Sequence, residues 1–491
     1  MNRLRIYRRI STTIAITMSA LLIGDSASAG CQAARTSRPT PFTQGCSGEQ
    51  PPTTLYTNSE VQPTLSIDPG DPRHLVGTYQ VDRWQDGGSR GAVVVTSFDG
   101  GRSWRHSIPP LTECAGGDEG NGGDFKRILD VWSTIALDGT VYLTSLTITG
   151  GLFGLESEHA IQVTKSADGG RTWSNPEIVT RESGMVLNDF PTITADPTVS
   201  RYVYLVWCRM GTRDDGQSTG PMYLARSSDG GKTWEPPRPI FDGGLNTYGF
   251  ASQVEVLPNG VLVFPFTAIS EDPVTHERGF QAMAIRSADK GRTWSEPTKI
   301  SEMFSAGAKD PDTGTPIADA GYFMHSATDG RGVLYTAWQD SRFSGGARDA
   351  VVVARSTDGG LTWSEPVVAS GSPSVSAFSL SLAARRDGTV GVTYYDFRPN
   401  TPDPATLPTA FWLATSTDAG ATWSERKVDG PSDLTVIPKA DIFGPTPYLY
   451  MGAQYGLVAG KNSFISLFAK PNDGDIDNRT DIYATAIPGR G

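Results

Sequence analysis

The sequence predicts an all-β fold, a single seven-bladed β-propeller of four-stranded blades with six recurring turns. Three observations predict it: one octapeptide recurs six times, the same strand-and-turn grammar precedes each copy, and the composition is rich in turn formers. The chain has 491 residues with 55 Gly and 34 Pro, spread along its length rather than gathered in one tract. With 19 Phe, 16 Tyr and 11 Trp it has ample material for a core, which excludes fibrous and disordered classes.

The octapeptide reads SFDGGRSW at 97–104, SADGGRTW at 166–173, SSDGGKTW at 227–234, SADKGRTW at 287–294, STDGGLTW at 356–363 and STDAGATW at 416–423. Successive copies start 60 to 69 residues apart, too far for a solenoid rung and right for one blade with generous loops. Its chemistry is that of a hairpin turn. Asp and Ser side chains bond turn amides, Gly supplies positive φ and Trp packs beneath, so these residues are structural.

In the first blade, 62–67 reads as strand A, 68–72 as a turn, 75–80 as B, 92–98 as C and 104–108 as the start of D. Equivalent A–B pairs begin near Trp132, Phe190, Ser252, Phe323 and Phe378, and a seventh, without a box, begins at about Tyr450. Residues 62–488 divide into seven units of 61 residues, which matches the repeat. Residues 30–61 are expected to form an arm that helps close the ring.

Residues 1–29 read as an export signal: Arg3, Arg5, Arg8 and Arg9 precede an apolar run and the small-residue site Ala27-Ser28-Ala29. The mature protein is therefore expected outside the cell, with a lipid anchor at Cys31 as the weaker alternative and no transmembrane helix. Without the signal the formal charge moves from −11 to −14, which excludes nucleic acid as a partner. Cys31, Cys46, Cys114 and Cys208 lack metal-ligand spacing and are expected to pair as Cys31–Cys46 and Cys114–Cys208. No cofactor is expected. Structural calcium is left open although no DxDxDG loop occurs, and a monomer is expected.

The box turns lie on one face, so the ends of B strands and the starts of A strands emerge on the other. B strands there deliver Arg83, Arg209, Arg342 and Arg398, three of them with an Asp one or two residues before, and A strands deliver Asp130, Asp189, His325 and Tyr450. Single Asp–Arg pairs read equally well as clips between blades. As a set, the four arginines point to recognition of an anion, because guanidinium binds carboxylate bidentately.

The SxDGGxTW repeats resemble the Asp-box (BNR) repeats of the sialidase-like superfamily, over about 62–488. That resemblance implies a carbohydrate-active propeller, an exo-glycosidase taking an anionic terminal sugar from a glycan or glycoconjugate. It implies Arg83 as a carboxylate ligand and Asp86 as acid/base, from Asp82-Arg83-Trp84-Gln85-Asp86. Tyr395-Asp396-Phe397-Arg398-Pro399 resembles the segment with the late triad arginine, and Pro447-Tyr448-Leu449-Tyr450 sits where the nucleophilic Tyr belongs. Glu255 matches the Glu that activates that Tyr. Two triad arginines are missing from their places, at Val61-Gln62-Pro63 and near Thr267, so Arg209 and Arg342 would stand in by geometry. Two alternatives stay open: a polysaccharide lyase with His325 or a Tyr as base, and a propeller that only binds.

Overall fold

The computed structural model describes residues 33–46, 53–152, 154–212, 217–442 and 446–488. The chain is all-β, with only three short 3-10 turns among the described residues. Among the described residues the strands form one twelve-stranded sheet, four sheets of four or five strands and a two-stranded pair. The antiparallel groups are units one to seven in chain order, of which seven, one and two share the twelve-stranded sheet. Unit one runs Leu55–Ile67, Leu75–Trp84, Ser89–Ser97 and Arg105–Ser107, so its inner strand starts seven residues ahead of the sequence expectation. The next five inner strands begin at Arg127, Val186, Thr247, His325 and Ala377. Unit seven has three strands of its own, Gly456–Ala459, Ser463–Pro471 and Thr480–Pro488, and takes its fourth from the N-terminal side. Ala34–Arg35 pairs antiparallel with Thr480–Pro488, and Ser59 bridges Thr480 from unit one.

Each box is a self-bonded turn. Ser97 Oγ donates to Asp99 Oδ1 at 2.8 Å and accepts from the Gly101 amide, while Asp99 takes the amides of Arg102 and Ser103 and the Ser103 hydroxyl. These bonds favour the ionised form, so the carboxyls of Asp99, Asp229, Asp289 and Asp358 are pushed down to about 2.

The box Trp does more than fill its own unit. Trp173 packs against a cluster shared by units one and two, Trp234 by two and three, and Trp294 by three and four. Trp363 and Trp423 repeat this at the next two seams. Trp104 packs with Leu75, Val458 and Ile465, where unit seven meets unit one. Polar contacts run the same way: Lys165, Arg226, Arg286 and Arg355, each just before a box Ser, donate to the next box at Gly231, Lys290, Gly359 and Ala419. Inner strands are linked by hydroxyls, with Ser66 Oγ on Ser133 O at 2.6 Å and Thr192 Oγ1 on Ser252 O at 2.9 Å. A strand edge facing a neighbour at an angle cannot pair its carbonyls with amides, so short hydroxyl side chains satisfy them instead.

The disulfide expectation is corrected. Cys46 pairs with Cys114, Cα atoms 5.0 Å apart, which pins the N-terminal arm and its buried Phe42 to the turn after unit one. Cys208 is free and buried among Val206, Met222 and Phe266, out of reach of any surface partner. Cys31 and the export signal lie outside the described residues.

The lowered box carboxyls predict acid lability with a fixed sign. Their stabilisation is full above the ordinary carboxylate range and is lost as pH falls through the folded value, between about 4 and about 2. Circular dichroism should place acid unfolding in that window, and Asp229→Asn should lower Tm by a few degrees at pH 7 while flattening the pH dependence.

Candidate functional site

Four inner strands carry the same irregularity. Between Val61 and Thr64, Leu129 and Trp132, Asp189 and Thr192, and Phe378 and Ser381, one extra residue is inserted against the partner strand. The inserted residues are Gln62, Asp130, Phe190 and Ser379, all left-handed with φ between 48° and 53°. Non-glycine residues avoid this region, and a bulge that holds one there re-aims its side chain. The device thus turns a chosen side chain of units one, two, three and six.

Around these bulges a polar chain crosses three units. Ser89 Oγ donates to Gln80 Oε1, Gln80 Nε2 to Gln62 Oε1, and Gln62 Nε2 to Asp130 Oδ1 at 3.0 Å. Asp130 in turn shares a hydrogen bond with Asp189 of unit three. Two carboxyls in such contact hold one proton between them. Burial raises both, and the neighbouring charge raises Asp189 furthest. Gln62 donates to Asp130 and thereby favours its ionised form, while the shared contact favours the neutral form of Asp189.

Arg83 lies beside this pair. Its side chain is fully buried, its guanidinium carbon is 3.7 Å from the centre of the Tyr450 ring, and none of its three nitrogens has a hydrogen-bond partner among the described residues. Its charge is felt at Asp130, Tyr448 and Tyr450. Burial pushes the Tyr450 phenol up, which keeps it neutral. An unpaired cation in the interior is costly unless an anion completes it, so this group is the strongest sign of a ligand site in the molecule.

The other arginines are already held by carboxylates. Arg209 makes a bidentate pair with Glu182, Arg342 bonds Asp340, Ser301 and the Glu302 carbonyl, and Arg398 bonds Asp396 and Glu425 over the face of Trp412. Glu182, Glu302 and Glu425 sit on the outermost strands of units two, four and six. The structure therefore does not bring these three together with Arg83.

A cavity of about 290 Å³ runs along the inner strands and has Glu255 and His325 on its wall. Glu255 is buried, accepts from Gln253 and Ser326, and is raised by burial. Burial pushes the His325 imidazole down to about 4. Neither is among the groups that shift Tyr450. Asp86 accepts from Thr53 and pairs with Arg127 at 3.0 Å. Tyr395 is buried in the core and donates to the Ala469 carbonyl.

Comparison with known proteins follows the repeats. The family model described as BNR repeat-like domain matches residues 156–428, more than half of the chain. The chain belongs to that family. Among solved structures, this BNR repeat-like chain is similar to the Hadza microbial sialidase Hz136, at 17% identity over 84% of this chain and 76% of that one, TM-score 0.45. It is also similar to an α-L-arabinanase of Penicillium chrysogenum complexed with arabinobiose, at 13% identity over 93% and 98%, TM-score 0.47. An intramolecular trans-sialidase from Ruminococcus gnavus shows 15% identity over 74% and 95%, TM-score 0.44. No curated protein matches the chain.

Proposed function

We propose that this chain is a secreted, carbohydrate-active enzyme, a single seven-bladed propeller that hydrolyses the bond to a carboxylated terminal sugar. The apolar seams between successive units, including the one joining unit seven to unit one, support the ring. The Cys46–Cys114 disulfide supports export, since such bonds persist in oxidising compartments. The observation that carries the functional reading is the buried, unpartnered Arg83 guanidinium stacked on Tyr450 beside two carboxyls that share a proton. A sugar carboxylate accepts two of its N–H groups at once and supplies the missing anion.

The chemistry follows from which group holds the proton. With the carboxylate on Arg83, Asp189 donates its proton to the glycosidic oxygen as the anomeric bond breaks, and Tyr450 attacks the anomeric carbon. A neutral phenol suits that role, because a carboxylate nucleophile would be repelled by the substrate's own charge. Asp130 takes the Tyr450 proton, so the pair ends with one proton as it began, now on Asp130. Water then releases the sugar in the reverse sense. In this assignment Asp130 fills the activating role that the repeat resemblance gives Glu255. Lyase chemistry through His325 draws less support, because the unpartnered guanidinium stacks on Tyr450, a contact without His325, which lines the cavity with Glu255.

The test is a screen of the purified protein on sialosides, uronate-capped oligosaccharides and neutral aryl glycosides, followed by Arg83→Met. That substitution removes the buried guanidinium while keeping an apolar stem over Tyr450. It should lower kcat/KM for the carboxylated substrate by about a thousandfold while leaving kcat/KM for neutral aryl glycosides unchanged, a split that a merely structural arginine would not give.

The proton on Asp189 predicts the pH profile. Raised well above the ordinary carboxylate range, it leaves the acid in place at low pH, and kcat/KM falls as pH rises through the upper titration of the pair. Asp189→Asn should remove that alkaline limb. It should nearly abolish turnover of sugar-linked substrates while sparing aryl glycosides, whose leaving groups need no proton.

A further inference from the structure

Glu60, on the inner strand of unit one, has no exposed surface, and neither of its carboxyl oxygens has a hydrogen-bond partner among the described residues. Strand register sets a second acid on each side of it. Glu60 lies opposite Val81, the residue before Asp82, and Ser59 bridges Thr480, the residue before Asp481. Both neighbours are buried, and each already holds a cation: Asp82 pairs with Arg90 at 3.1 Å and Asp481 with Arg35 at 2.5 Å. Tyr79 lies within reach of the same charges and of Arg38. A buried carboxylate without a donor, set between two others, has nothing to offset its desolvation, so Glu60 is neutral. Burial raises it well above the ordinary carboxylate range, with the charges of Asp481 and Asp82 adding to the rise and that of Arg35 opposing it. The two flanking acids also anchor the N-terminal arm. Asp481 accepts Ser37 Oγ at 2.7 Å beside its pair with Arg35, and Asp82 accepts Thr40 Oγ1 at 2.8 Å. Between these anchors the Thr36 and Ser37 amides both donate to the Ile482 carbonyl.

We propose that Glu60 is a proton latch for the N-terminal arm. While it is neutral, Asp82 and Asp481 hold residues 34–40 against units one and seven; its ionisation puts a third negative charge between them and frees that segment. The Cys46–Cys114 disulfide keeps the freed arm tethered, so closing is intramolecular and the switch reversible. Its sign is fixed. With the arm free and water at the carboxyl, Glu60 titrates in the ordinary carboxylate range, and with the arm closed it titrates far higher. The closed arm is therefore held fully in acid and loses its hold as pH rises towards the closed-state titration. The box carboxyls act in the opposite sense, since their contribution disappears on acidification. Freeing the arm also withdraws Ala34–Arg35 from Thr480–Pro488 and loosens Phe42 from Tyr79 and Val81, at the junction of units seven and one.

Hydrogen–deuterium exchange of the intact, disulfide-bonded protein tests the latch, from about pH 5 to about pH 9, in wild type and in Glu60→Gln. Rates are corrected for the intrinsic pH dependence of amide exchange. In wild type, protection of the Thr36 and Ser37 amides should fall by up to about tenfold per pH unit while protection of Leu75–Trp84 holds. Glu60→Gln, the amide counterpart of the neutral acid, should keep the arm protected over the whole range. An arm that loses protection equally in both proteins, or keeps it in both, overturns the latch. Should the variant fail to fold, wild type decides alone through the infrared band of protonated glutamic acid. That band should lose intensity over the same pH range as the arm loses protection, and an arm that opens with the band unchanged overturns the assignment. Protection that a chelator removes and calcium restores at constant pH would overturn it as well, by giving the three acids to a metal ion.

Discussion

The structure depends on one contact made six times: the box tryptophan of each of units one to six seated in the seam with the neighbouring unit. That ring is large enough to fix the spacing of two sheets, and truncating a buried aromatic of this size typically costs about 3–5 kcal/mol. The Ser–Asp turn holds the ring in place, and a Lys or Arg from the preceding unit bonds the turn's carbonyl. Sheets set in this way bring their inner strands side by side, which makes a common centre to which several units each contribute one residue.

At that centre the inner strands break their own regularity. A bulge in units one, two, three and six swings Gln62, Asp130, Phe190 and Ser379 out of the alternation that a straight strand would impose. Without it, Asp130 would not meet both Gln62 and Asp189. The seams supply rigidity and the bulges use it, which is how strained positions persist where a site is built.

The repeats made the all-β class, the turn positions and most inner strands legible, because an octapeptide with fixed turn chemistry marks six hairpins directly. The family pattern of their segments also singled out Arg83 and Tyr450, whose side chains the fold stacks on one another. What escaped was anything set by partners distant in sequence. Arg209, Arg342 and Arg398 end their strands as expected, yet Glu182, Glu302 and Glu425 on outer strands hold them. Asp189 stood out in sequence, but its partnership with Asp130 follows from two bulges that no residue type announces. The disulfide failed for the same reason: where the arm crosses the molecule decides that Cys46 reaches Cys114, and spacing does not encode that path.

The central claim is that Arg83 awaits an anion. A crystal structure of the protein with a carboxylated sugar tests it most directly. The account predicts both carboxylate oxygens within about 3.2 Å of Arg83 nitrogens, with the glycosidic oxygen beside Asp189. A sugar bound with its carboxylate on Arg209, Arg342 or Arg398, and Arg83 untouched beneath Tyr450, would contradict it.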